Sequence, residues 1–185
     1  MNPIIKNKHP NSPFMRPGGK GVKILLFCLS TLLFIGCDRV TKDLAKEHLR
    51  NKAEISYLHN TVRLVYAENT GAALNFADNL PKTASFWLLS ILPLAFLLVL
   101  SGYAIKQAKE MSMLKIFSFS LIIAGGLGNI IDRILFDRHV TDFMILSIWN
   151  IHTGIFNVAD VCVTAGAIGL IVFYRDKKLI KQAEV

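Results

Sequence analysis

Four apolar runs, each long enough to cross a bilayer, constrain this chain most. A spanning helix needs about 20 mostly apolar residues. The runs are Val22 to about Val40, Ala84 to Ile105, about Met113 to Ile131, and Ile155 to Tyr174. In hydrocarbon the backbone has no water to bond, so such runs are predicted helices. The chain has 185 residues, 52% of them hydrophobic, too apolar for an ordinary soluble domain and enough for one domain. The expectation is an α-helical integral membrane protein with four transmembrane helices. Its parts are a cytoplasmic tail over 1–21, predicted to be disordered, a four-span domain over 22–175, and a short tail over 176–185.

The net charge of +8 invites a nucleic-acid reading, but its distribution opposes one. Lys6, Lys8, Arg16, Lys20 and Lys23 lie before or at the start of the first run. Lys106, Lys109 and Lys115 lie between the second and third or at the start of the third, and Arg175, Lys177, Lys178 and Lys181 follow the fourth. These regions hold 12 of the 21 basic residues and three of the 13 acids. Basic residues gathered in alternate connections are the positive-inside pattern, with both termini cytoplasmic. No nucleic-acid partner is expected.

Cys28, Cys37 and Cys162 each sit in or beside an apolar run, with no metal-ligand spacing. Buried thiols acting as small apolar groups account for them. Neither a metal nor a cofactor is predicted. Phe34-Ile-Gly-Cys37 imitates a lipoprotein cleavage site, yet three further spans follow where a processed lipoprotein would carry a soluble domain.

Between runs one and two, Asp38 to His48 can continue the first helix beyond the bilayer, with Asp38 and Lys42 on one face. Ile55–Leu58 and Val62–Ala67 are β-branched and aromatic, separated by Asn60 and Thr61. They predict two short strands of a small extramembrane sheet between spans one and two. Gly71 permits a tight bend. Pro93 predicts a kink in span two. Ala124, Gly125, Gly126 and Gly128 predict a close helix contact. Trp149 reads as an interfacial anchor and His152 as a loop residue outside the chemistry.

Two aspartates stand where a carboxylate is expensive. Asp160 heads the fourth run, and Asp142 lies in His139-Val-Thr-Asp-Phe-Met-Ile-Leu146, read as a loop folding back toward the bilayer. A charge inside a membrane costs roughly 2.5 kcal/mol or more and marks a functional site by default. Two such acids can divide the roles of general acid and general base. Asn129 and Asp132, and again Asn157 and Asp160, are three apart and share helical faces. Asp38, Asn69, Asn129, Asp132, Asp142, Asn157 and Asp160 all fall at one depth, near the non-cytoplasmic surface. A carrier with intramembrane acids, or a scaffold of buried polar pairs, is the alternative; neither explains why the acids gather at one surface.

Five blocks in order carry a resemblance: Asp38-Arg-Val-Thr-Lys42, Glu68-Asn-Thr-Gly-Ala-Ala73, Gly125-Gly-Leu-Gly-Asn-Ile-Ile-Asp-Arg133, Val140-Thr-Asp-Phe143 and Phe156-Asn-Val-Ala-Asp160. They resemble the signature blocks of the lipoprotein signal peptidases (signal peptidase II), a family of membrane aspartyl proteases, over roughly Val22 to Tyr174. The resemblance implies an enzyme of the bacterial cytoplasmic (inner) membrane with its active site near the outer face. It implies cleavage of diacylglyceryl-modified prolipoproteins before the lipidated cysteine, with membrane lipids around a monomer. It assigns catalysis to Asp142 and Asp160, and support of the pair or of substrate to Asn69, Gly71, Asn129, Asn157 and Arg133. Asp38, Lys42 and Asp132 are structural polar positions, Asp132 taken with Arg133 and Asp38 with Lys42. Arg39 stands where the family commonly has Gln, Leu74-Asn75 where Phe-Ser is common, and Thr141 where Val is usual. The N-terminal tail is longer than typical. Which aspartate is acid and which base stays open, because such a pair titrates as a unit.

Overall fold

The computed structural model describes residues 18–71, 80–149 and 151–183, with side chains in the last stretch described through Val172. The Asn- and Pro-rich head through residue 17, Ala72 to Asn75, and the basic side chains from Arg175 on lie outside these residues. The order is α1 (Lys20–Leu49), β1 (Ile55–Tyr57), β2 (Val62–Asn69), α2 (Lys82–Phe86), a π-helical turn (Trp87–Ile91), α3 (Leu92–Gln107), α4 (Met113–Leu135), β3 (Val140–Ile148), β4 (Ile151–His152) and α5 (Val158–Ala183).

Three helical stretches, Lys20–Leu49, Lys82–Gln107 and Met113–Leu135, are long and apolar enough to cross a membrane. The described apolar part of α5, Val158–Val172, is shorter. Their outward faces suit lipid: Leu32 and Leu33 on α1, and Phe96, Leu98 and Val99 on α3, are exposed. Between the helices, Phe27, Leu97, Ile116, Phe119, Ile123 and Ile130 form the core. At 30 residues, α1 is about 45 Å long, against a hydrocarbon core of about 30 Å. In its last turns Ala45 and Leu49 pack with Phe143 of the sheet.

At Pro93, where the sequence predicts a kink, the structure has a π-helical turn just before the proline. Proline lacks an N–H, and its ring clashes with the carbonyl four residues back, here Leu89. The backbone widens instead, and the Leu92 N–H bonds the Trp87 carbonyl five residues back.

The sheet needs a correction. The two strands between α1 and α2 are present, but the order is β1-β2-β3-β4, all antiparallel, so half of the strands come from the α4–α5 connection. Asp142 lies in a nine-residue strand rather than a loop. β3 satisfies its backbone on β2, pairing Ala67 with Asp142 and Asn69 with Val140, with an irregularity between Leu64 and Ala67. The lead into α5 adds to the other side of β3: the Phe143 and Met144 N–H groups donate to the Phe156 carbonyl at 3.0 and 2.9 Å.

Helix α4 packs closely on α5 because its small residues allow it. A Cβ on Gly125 would strike the Ala159 carbonyl and Val163, and one on Gly126 would strike Leu97. Gly128 differs, since its missing side chain leaves room for the Asp38 carboxylate.

Candidate active site

Helix α5 begins later than its hydropathy suggests. Asn157 is not its first turn but its cap. The Asp160 N–H donates to Asn157 Oδ1 at 3.0 Å, and the Asn157 N–H donates to Asp160 Oδ2 at 3.1 Å. This reciprocal pair is a capping box, and it fixes Asp160 in the first turn. A third donor of that turn, the Ala159 N–H, finds Asp38 Oδ1 on α1 at 2.9 Å. Thus α1 and α5 are joined at the helix end that carries Asp160.

Three amides surround the two carboxylates. Asn157 Nδ2 donates to Asp142 Oδ1 at 2.6 Å, and Asn69 Nδ2 donates to Asp142 Oδ2 at 3.2 Å. Asn129 Nδ2 donates to Asp160 Oδ1 at 2.9 Å. Asn157 therefore holds both acids, one through its side chain and one through its backbone. The amides are themselves oriented: the Gly71 N–H bonds Asn69 Oδ1, and Asn129 Oδ1 accepts from Lys42 Nζ and Asn157 Nδ2. Asp142 is buried and Asp160 half-buried. Burial, and then the charge of Asp160, push the Asp142 carboxyl up to about 6, against the pull of Asn69, Asn157 and Lys42.

Beside this pair lies a second, sealed cluster. Lys42, fully buried, reaches Asp38 Oδ2 at 2.7 Å, Asp132 Oδ2 at 3.0 Å and Asn129 Oδ1 at 3.0 Å. An ammonium has three donors, and all are used. Asp132 also accepts the Thr141 N–H at 3.3 Å, next to Asp142, and pairs with Arg39 Nη1.

All ten predicted site residues join one constellation, drawn from α1, β2, α4, β3, the start of α5 and the turn at Gly71. One predicted pairing fails. Asp132 does not pair with Arg133, because neighbours on a helix point about 100° apart. Arg133 donates instead to the Gly71 carbonyl at 3.1 Å and the Asn129 carbonyl at 3.4 Å, within electrostatic reach of both Asp142 and Asp160. His152 stands apart, exposed, bonded to the Thr153 carbonyl. Two contributors escaped the sequence reading. Arg39 reaches across to a partner 93 positions away, which nothing local announces. Gly128 was read only as packing. Among the described residues, no group of three or more His, Cys, Asp or Glu is arranged to hold a metal ion.

The family model of signal peptidase (SPase) II matches residues 30–175 of this chain. A lipoprotein signal peptidase from Chlorobaculum parvum is 37% identical over 164 residues, covering 82% of this chain and 95% of the relative. One from Clostridium tetani is 36% identical over 165 residues, covering 85% and 99%. A bacterial membrane enzyme solved by the in meso method superposes with a TM-score of 0.71 at 27% identity, covering 85% of this chain and 90% of that one.

Proposed function

The chain belongs to the signal peptidase II family, and from that premise we propose that it is an aspartic endopeptidase in which Asp142 and Asp160 are the catalytic pair. Its substrates are diacylglyceryl-modified prolipoproteins, cut before the lipidated cysteine. The observation that carries the reading is the bridge of Asn157 between the two acids. Among the described residues neither carboxylate has an ion-pair partner, and the groups bonded to both are amides. Such a pair keeps one proton where two compensated carboxylates would keep none.

Asp160 sits at the N-terminus of α5, where a backbone N–H donates to it. Asp142 is buried and carries the raised proton affinity. That difference favours Asp142 as holder of the proton and Asp160 as base. Asp160 takes a proton from water, and Asp142 donates a hydrogen bond to the scissile carbonyl as charge develops on its oxygen. Asn69, Asn129 and Asn157 hold the carboxylates in register. Arg133, anchored on two carbonyls, offsets the charge of the pair.

The position of the pair suits the substrate. Asp38 is the nineteenth residue of α1, where a helix begun at Lys20 has risen about 27 Å. That is one hydrocarbon thickness, so the pair linked to Asp38 falls near the membrane surface. A lipid-anchored peptide brings its scissile bond to that depth. The reading is a single four-span unit over 22–175 in the bacterial cytoplasmic membrane, with both termini cytoplasmic and the sheet on the outer side. It works as a monomer, since one chain supplies every site residue.

The test is processing of a diacylglyceryl-modified prolipoprotein by the purified, lipid-reconstituted protein, followed by gel shift. Asp142→Asn and Asp160→Asn should each lower the rate by at least about 100-fold, with the protein still in the membrane. Near-normal cleavage by either variant sinks the assignment.

A further inference from the structure

Arg39 joins α1 to α4 beside the site and touches neither catalytic acid among the described contacts. Its neighbours define its work. Nη1 pairs with Asp132, fully buried, and Nη2 bonds Asp43 at 3.0 Å. The guanidinium lies 5.2 Å above the centre of the Phe136 ring, and Nε has no hydrogen-bond partner. Only about a quarter of the Arg39 side chain is exposed.

The charge count beside the catalytic pair turns on this residue. On α1 stand Asp38, Arg39 and Lys42, with Asp43 more than half exposed. On α4 stand Asp132 and Arg133, on β3 Asp142, and on α5 Asp160. Glu68 on β2 is exposed and bonded by Tyr66 at 2.5 Å. Asp38, Lys42 and Asp132, all buried, hold two anions and one cation, and Arg39, whose other arm bonds the exposed Asp43, supplies the second cation at their edge. Without Arg39 the cluster holds a surplus anion. Lys46 lies 4.9 Å over the same Phe136 ring but forms no ion pair with Asp132 among the described residues, and Lys42 is already shared among Asp38, Asp132 and Asn129. The surplus would be felt by two routes. Asp132 bonds the Thr141 N–H, one residue from Asp142. Lys42, drawn harder toward Asp132, would release Asn129, whose amide holds Asp160.

We propose that Arg39 is a positioning residue that sets the alkaline end of the enzyme's working range by neutralising the buried cluster next to the catalytic pair. It touches neither the substrate nor the reacting carboxylates. The proposal rests on the peptidase reading and on Asp142 holding the proton. A positive charge nearby favours the ionised carboxylate, so its removal makes Asp142 keep its proton to higher pH.

The experiment is the pH profile of kcat/KM for prolipoprotein processing by wild type, Arg39→Gln and Arg39→Lys. Arg39→Gln should move the alkaline limb upward by on the order of 0.5 pH unit, the scale of one partly screened charge. Arg39→Lys keeps the charge and loses the fork, so its limb should return to the wild-type position. An unmoved limb in Arg39→Gln, or an equal shift in Arg39→Lys, overturns the proposal, whatever the plateau does. A second measurement separates this from failure of the functional reading. The protonated-carboxyl infrared band that vanishes in Asp142→Asn should titrate at higher pH in Arg39→Gln. That band can be followed even if the wild-type protein cleaves nothing, and a midpoint that does not move overturns the proposal independently.

Discussion

Two clusters of aspartates lie side by side in this molecule, and they are built on opposite rules. In one, Asp38 and Asp132 face Lys42 and Arg39, opposite charges alternate, and the lysine has every donor occupied. In the other, the direct hydrogen-bond partners of Asp142 and Asp160 are asparagines and backbone, with Arg133 acting only through its field. The residue type is the same and the burial is similar, since Asp38, Asp132 and Asp142 are all at most 4% exposed. The partner decides what each becomes. A buried carboxylate bonded to a cation is tied into the frame as a strut; one held by amides beside another carboxylate is left available for chemistry. The two share Asn129, bonded to Lys42 through its oxygen and to Asp160 through its nitrogen. The strut therefore also orients the chemistry.

Breaking the strut gives the largest expected effect on stability. Lys42→Met leaves two buried carboxylates without their shared cation. Losing one partner of a buried pair costs about 3–5 kcal/mol, so the variant should show a large fall in unfolding midpoint in detergent. An unfolding midpoint near that of wild type would mean the cluster does not hold α1 to α4.

The catalytic pair should respond in the opposite sense. Burial and the charge of Asp160 push the Asp142 carboxyl up to about 6, well above the ordinary aspartate value. For a raised carboxylate the native state binds the proton more tightly. Stability is therefore fully present below about pH 4, falls as pH rises between about 4 and 6, and stays low above. The two-unit shift amounts to about 3 kcal/mol at the alkaline end. Asp142→Asn removes that cost but turns an amide N–H against one of its donors, a loss of about 1 kcal/mol. Unfolding midpoints should cross: the variant is more stable than wild type by about 2 kcal/mol at pH 8 and less stable at pH 4. Curves that stay parallel across this range would place Asp142 among the struts.

Much of this contrast could be read before any fold was known, and its limits are physical. Long apolar runs favour helices, so the three helices long and apolar enough to cross a membrane were legible. The price of a carboxylate in an apolar chain marked Asp142 and Asp160. The strand around Asp142 was not legible as one. Phe143 to Leu146 is a short apolar run, which periodicity alone cannot divide between strand, loop and helix, and its partner β2 lies more than 70 positions away. Asn157 was misread for a different reason. Asn followed three residues later by an acid is a capping signal as well as a shared helical face, and only the Phe156 pairing with β3 decides between them. Arg39 was visible only as a departure from a pattern, and its meaning rests on Asp132.

The finest test of the comparison concerns Asn69, because it separates proton affinity from support. Asn69 ends β2, and its oxygen is held by the Gly71 N–H, which leaves Nδ2 aimed at Asp142. An amide donor stabilises the ionised carboxylate and so draws the Asp142 value down from where burial and Asp160 would leave it. Asn69→Ala removes the donor. Asp142 should then hold its proton to higher pH, and the alkaline limb of kcat/KM should rise by about 0.5–1 pH unit, the modest size fitting a 3.2 Å bond. A support role predicts something else: a lower plateau with the limb in place, because a displaced strand weakens binding at every pH. Asn69 belongs with the amides that tune the pair if the limb moves, and with the frame if only the plateau falls.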